Sequence, residues 1–293
     1  MNTKNIRKNV ILGFILLFSL CTVFKLNVHA ADNYQITENN GILTGMCNDS
    51  VMQDVYVCIK TEGNTYQVVK PGIKDSRVYY FNRVGTGALC SEERYVDISY
   101  GGKSQIYYCN KGVLEKNKIV GNKEEGYFYV DSTGVRVNDK TTNLAVKFVR
   151  AHTKTTDSKS KKLEKCYYYL SRHYSYKRTY TNLYPKAKHI NQFAREMFTK
   201  KEGNCHRYAA CFAYIARVLG YDTRVVVGKI SAYSGGMTPH GWTEVKKAGK
   251  WYSCDPDMEM NGVDSYMKRK TPCVTSVTRR CKITVKNGKV SWK

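Results

Sequence analysis

Negative charge is scarce in this sequence. Asp and Glu together number 24 against 48 Lys and Arg. The few carboxylates do not cluster, so no calcium cage and no calcium dependence is expected. Apolar runs of membrane length are missing after Phe24, which leaves the bulk of the chain without a span. The eleven cysteines include no C-x-x-C pair, and no cysteine–histidine group has finger-like spacing, which argues against structural zinc. Nucleic-acid motifs are also missing, and the basic residues are scattered along the chain instead of grouped.

The chain opens with MNTKNIRKNVILGFILLFSLCTVFKLNVHAAD. Lys4, Arg7 and Lys8 form a basic start, Val10 to Phe24 is apolar, and Val28-His29-Ala30 satisfies the small-x-small rule for signal-peptidase cleavage. This predicts a signal peptide over 1–30 and an exported protein, secreted or held at the cell surface. An uncleaved anchor fits less well because Lys25 closes a short run. A lipid anchor through Cys21 is opposed by the bulky Leu20. Four basic residues and no acids lie in this segment, which leaves +20 of the +24 formal charge on the remainder. Outside a cell such an excess attracts anionic wall polymers, lipid headgroups and acidic sugars. A generally basic, soluble surface explains it equally well.

Residues 31–118 read as an all-β, sandwich-like module. VYVCIK, YQVVK, RVYYF, YVDISY and SQIYYC are short, Val/Ile/Tyr-rich runs separated by Gly/Asn/Asp/Ser clusters. Cys47, Cys58, Cys90 and Cys109 fall here, enough for two bridges whose pairing the sequence leaves open among three connectivities. Residues 119–140 follow as a connector. Within it Gly126–Val130, an Asp-Ser-Thr-Gly turn and Val135–Val137 predict a β-hairpin. This unit resembles a single aromatic–glycine repeat of cell-wall-binding proteins. Such repeats work as arrays, so a connector is favoured over a sugar site.

The period changes at Thr141. Leu144, Ala145, Phe148 and Val149 share a helical face, Asp157 and Ser158 cap a second helix, and a third is expected near His189–Thr199. Residues 141–293 thus read as an α+β domain. Gly203-Asn204 then breaks the chain and a helix starts at Cys205, repeating through Ala209, Phe212, Ala216 and Leu219 to a stop at Gly220. Unpaired N–H groups and the helix dipole at that position favour a thiolate and could hold an oxyanion. Cys211 cannot bridge to Cys205, since about 9 Å of helical rise separates them.

A nucleophilic thiol needs a base. His206 is one helical step, about 100°, from Cys205 and reads as a bystander. His152, His173 and His189 read as surface or structural. His240 precedes a hairpin, GWTEVKKAGKWYSCDP. A turn centred between Lys247 and Ala248 sets it opposite Asp255, and an offset of two residues keeps both on one face. Cysteine, histidine and aspartate so placed make a thiol triad.

The stretch EGNCHRYAACFAYIARVLGYDTRVVVGKI, followed by HGWTEV and GKWYSCDP, resembles the transglutaminase-like superfamily. Its Gly-x-Cys, His-x-Trp and Trp-x-x-x-Asp-Pro motifs stand here in order over residues 202–256. The resemblance implies a papain-like α+β fold over 141–293, with Cys205 as nucleophile, His240 as base and Asp255 as its orienter. No cofactor and no metal is expected. Gly241 stands where the family usually carries Ala, and Cys254 before Asp255 is unusual and expected to face away. The family's second oxyanion donor has no clear counterpart, Tyr184 and Gln192 being the options. If Cys205 is the nucleophile, nine mature cysteines remain. At least one is then free or bridges to another chain, and Cys211 is the candidate.

Two readings of function follow. In the first, an exported thiol enzyme attacks amide or acyl groups of a protein or peptide at the cell surface and forms a thioester. Water as acceptor makes it a peptidase or amidase, and an amine makes it a cross-linking transferase. In the second, a surface glycan- or wall-binding protein carries a vestigial triad.

Overall fold

The computed structural model describes residues 32–179, 183–232 and 234–293. The expected signal peptide lies outside these residues. Among them, no helix is long and apolar enough to cross a membrane.

The first half is all strand. Tyr34–Asn39, Ile42–Cys47, Ser50–Val51, Val55–Glu62, Thr65–Val69, Arg77–Phe81 and Thr86–Leu89 (β1 to β7) form one sheet in the order β1-β2-β7-β6-β4-β5, with β3 beside β2. Arg94–Tyr100, Lys103–Asn110 and Val113–Leu114 (β8 to β10) form a second, ordered β10-β9-β8. Alternation along β4 explains why two cores coexist. Cys58 points to a core shared with Val96, Ile98 and Cys109 of the second sheet. Its neighbours Val57 and Ile59 point the other way, onto Phe81, Met52 and Cys47. The large sheet curls almost into a barrel, and Tyr66 of β5 hydrogen-bonds Glu38 of β1.

That division leaves the expected pair of bridges within the module without support. All ten cysteines among the described residues are free thiols. Cys47 sits in a different core from Cys58, Cys90 and Cys109, so the sheet stands between it and the other three.

The connector also differs from the expected hairpin. Gly126–Val130 (β12) pairs chiefly backwards with Lys118–Asn122 (β11). Val135 and Arg136 make only isolated bridges, to Tyr107 and Val130. Asp131 explains the tight turn between them. Its buried carboxylate accepts from the Thr133 N–H at 2.8 Å, the Thr133 hydroxyl at 2.6 Å and the Val135 N–H at 3.3 Å. Its other oxygen accepts the Gly288 N–H at 2.8 Å, a link to the far end of the chain.

The second half is α+β. Lys140–His152, Lys159–His173 and Ala187–Lys200 (α1 to α3) surround a central helix, Cys205–Val218 (α4). Ser158 caps α2 as expected, accepting from the Lys161 N–H. A two-residue parallel pairing joins Ser175–Tyr176 (β13) to Glu202–Gly203 (β14) just before α4. Asp222–Ser231, Met237–Lys247, Lys250–Cys254, Thr275–Lys286 and Lys289–Trp292 (β15 to β19) make an antiparallel sheet, β17-β16-β15-β18-β19. Only Arg207 of α4 is not buried. The sequence showed one apolar face, but Ala209, Ala210, Ala213 and Ala216 let the sheet and the other helices close on every side. Between β17 and β18, Pro256–Met260 forms a short helix, α5.

Candidate active site

The nucleophile candidate is set by a helix cap. Asn204, in extended conformation, accepts the Arg207 N–H at 3.3 Å and donates its amide to Thr179 at 2.9 Å. The Gly-Asn break is therefore the N-cap, and Cys205 is the first helical residue, where backbone N–H groups lack helical partners.

Cys205 is buried, 5% exposed. Burial alone would raise its thiol pKa. Hydrogen bonds to His206 and His240, with the charge of both rings, outweigh burial and pull it down to about 6. His206 is therefore no bystander, because its Nδ1 lies 3.1 Å from Sγ. The helical-step argument fails because Cys205 sits at the helix start, where no preceding turn separates the sulfur from the neighbouring ring. The His206 ring is fully enclosed, and its Nε2 has no hydrogen-bond partner. That suits a ring that carries its proton on Nδ1, with the N–H facing the sulfur. Gly241 packs against it: a Cβ there would come within 3.1 Å of His206 Cγ. The glycine that stands in place of Ala leaves room for this ring.

His240 comes from β16 and Asp255 from the end of β17. The hairpin turns at Ala248-Gly249, both with positive φ (48° and 77°), and Thr243 lies opposite Cys254. The pairing is offset by two residues from the expected one. Parity is kept, and His240 Nε2 lies 2.6 Å from Asp255 Oδ2. Asp255 is itself held on several sides. It caps α5 by accepting the Met258 N–H at 3.2 Å. Its carbonyl accepts from the Tyr167 hydroxyl and the Ser265 hydroxyl, each at 2.9 Å. Burial opposes charge on His240, but the Asp255 carboxylate and the Cys205 sulfur raise its pKa well above the ordinary value. The two shifts agree in sense: an imidazolium faces a thiolate. Trp242, two residues along the same face, stacks near the ring with centroids 6.4 Å apart.

Two further groups escaped sequence reasoning. Asp257 is buried, and its Oδ2 lies 3.9 Å from His240 Nδ1. Burial and the neighbouring Asp255 push its carboxyl up to about 7. The signal was present in Asp-Pro-Asp, where Pro256 starts a helix and turns the second carboxylate back to the site. The β13–β14 pairing sets Tyr176 opposite Gly203, two residues before the thiol. Burial first, then the charges of Cys205 and Asp257, raise the Tyr176 pKa to about 12. Gln192 instead donates to Glu196 along α3, and among the described residues no hydrogen bond or ring contact links Tyr184 to Cys205, His240 or Asp255. Cys254 is buried and turned to Met267, 3.5 Å from its sulfur. Cys211 is enclosed in the helical core.

Residues 145–256 match the model of the transglutaminase-like superfamily. Among solved structures the chain is similar to one described as a TGase, at 20% identity over 40% of this chain and 31% of that one, with a TM-score of 0.31. It is also similar to a presumed cysteine protease from Cytophaga hutchinsonii, at 13% identity over 69% of this chain and 75% of that one, with a TM-score of 0.32. The chain thus spans about a third of the TGase's length. No match was found among curated proteins. Both structural likenesses are remote and say nothing of substrate.

Proposed function

We propose, from the premise that residues 145–256 are transglutaminase-like, that the protein is a thiol enzyme acting on amide or acyl groups of proteins or peptides. One observation carries this reading: a thiol at a helix start contacts a histidine whose far nitrogen is 2.6 Å from a buried aspartate. In this reading the Cys205 thiolate attacks the carbonyl carbon, and the new oxyanion is met by N–H groups at the start of α4. Tyr176 is the candidate for the second donor, in place of Tyr184 or Gln192. The His240 imidazolium gives its proton to the leaving amine, and a thioester to Cys205 remains. Asp255 holds the ring orientation and offsets its charge. Water or a second amine then takes the acyl group.

The proposal places the enzyme outside the cytoplasm, exported by residues 1–30, with the β-module as a binding or spacer unit. A basic groove of about 620 Å³, bordered by Lys159, Arg217, Lys246, Lys247, Lys282 and Lys286, would suit an anionic wall polymer as a surface partner. None of its lining residues belongs to the triad.

The test is mass spectrometry of cell-surface extract incubated with the protein and a labelled primary amine. Amine incorporation means transfer, and new termini without it mean hydrolysis. Either must vanish in Cys205→Ala. A folded, reduced protein that shows neither, and whose Cys205 resists iodoacetamide, would be a binding protein instead.

A further inference from the structure

Among the described residues, one group of metal-capable side chains converges. The Cys205 sulfur, a His240 nitrogen and an Asp257 oxygen all lie within 4.8 Å of one another, and all three residues are buried. The His240 nitrogen that faces Asp257 is Nδ1, 3.9 Å from Oδ2. We propose that Cys205, His240 and Asp257 form a three-ligand site for a zinc-type divalent cation, and that its occupation holds the thiol inactive.

The donor set decides the class of ion. A sulfur, an imidazole nitrogen and one carboxylate suit zinc and its soft or borderline neighbours, and do not suit magnesium or calcium, which take oxygen. In a tetrahedral zinc site with bonds of about 2.0–2.3 Å, ligand atoms sit about 3.3–3.7 Å apart. The nitrogen–oxygen gap of 3.9 Å therefore has to close by a few tenths of an ångström, and the gaps to the sulfur, each at most 4.8 Å, by no more than about 1.5 Å.

The second argument is orientation. A metal-bound histidine ordinarily gives its other N–H to a carboxylate. Here His240 Nε2 already faces Asp255 Oδ2 at 2.6 Å, and Asp255 is fixed by its own cap and carbonyl bonds. The arrangement that steadies a general base thus also presents a metal ligand. Three protein ligands leave a fourth position open to water.

Binding is a substitution without redox change. The cation takes lone pairs of sulfur, Nδ1 and a carboxylate oxygen. The proton carried by Nδ1, and that of Asp257 where it is protonated, pass to solvent. The sulfur pair is then no longer free to attack a carbonyl.

This inference uses two residues of the proposed triad but does not depend on turnover, so it is tested by binding. The full chain, freed of metal with EDTA and dialysed, is titrated with zinc chloride against a chromophoric chelator, with magnesium chloride as a control. One zinc per chain is expected, unaffected by excess magnesium. Cys205→Ala and Asp257→Asn should each weaken it at least about tenfold, with circular dichroism confirming that both variants fold. Asp257→Glu, which keeps a carboxylate, should retain most of the affinity. His152→Ala/His173→Ala removes two imidazoles stacked on either face of Tyr169 and should change nothing. Loaded zinc should block iodoacetamide at Cys205, and EDTA should restore it. The proposal is overturned if no stoichiometric zinc binds, if Asp257→Asn binds as tightly as the parent, or if affinity falls with the His152/His173 pair. Zinc binding with an inert Cys205 would keep the site and sink the enzyme. Alkylation without zinc binding would do the reverse.

Discussion

Cys58 and Cys109 in the β-module and Cys205 in the helical half are all buried thiols, yet their chemistry is opposite. In the module only a backbone N–H at each sulfur, and the Lys116 charge near Cys58, oppose the loss of water, and burial pushes both Cys58 and Cys109 up to about 12. Cys205 pays the same kind of desolvation but is pulled down to about 6 by two imidazoles. Burial alone therefore does not mark a cysteine as structural. The donors around the sulfur decide.

The broadest way to break this contrast is site-resolved alkylation with iodoacetamide in EDTA. At pH 7 a midpoint near 6 leaves about nine-tenths of Cys205 as thiolate, falling to about one-tenth at pH 5, whereas a thiol at about 12 is almost wholly protonated at either pH. Cys205 labelling should exceed that of Cys58 and Cys109 by several orders of magnitude at pH 7 and drop about tenfold at pH 5. Equal labelling of the three in folded protein would erase the distinction. Next in size is Asp255→Asn. Asparagine still caps α5, so the melting temperature should hold, while turnover falls about 10³–10⁴-fold through the wrong histidine tautomer. A loss of stability to match would make Asp255 merely structural.

His206→Ala sharpens the comparison further. Removing one donor from the thiolate should raise the midpoint of the alkylation profile by about one pH unit. His206→Asn, whose amide can reach the same place, should recover part of that shift. An unmoved profile in His206→Ala would return His206 to the role of bystander. Gly241→Ala is the mildest change. Its methyl presses the His206 ring, costing about 1 kcal/mol in chemical denaturation and nudging the same profile by less than His206→Ala does. A stabilised variant with a stronger shift would contradict the packing described for this glycine.

Much of the placement was legible because it rested on periodicity. The helix start at Cys205 followed from Gly203-Asn204, and the meeting of His240 with Asp255 followed from strand parity, which survived a two-residue error in register. What escaped were contacts that periodicity does not encode. His206 was set aside by a helical-wheel argument that does not hold at the first helical residue. Asp257 lay hidden behind Asp255 because only one orienting carboxylate was sought. The cysteines misled through their even number, which counts partners without asking which face of β4 each core occupies. The connector misled because its second strand was judged by sequence adjacency, while β11 offered the longer ladder.

The central helix α4 is enclosed along almost its whole length, and the reactive sulfur sits at its first residue. Such a thiol rides on the interior of the molecule, not on a loop that can sway independently of it. Catalytic competence and structural integrity then share one melting event. On a heating ramp the labelling of Cys205 should fail only as the interior itself gives way, which makes this single sulfur a built-in gauge of whether the whole α+β half is intact.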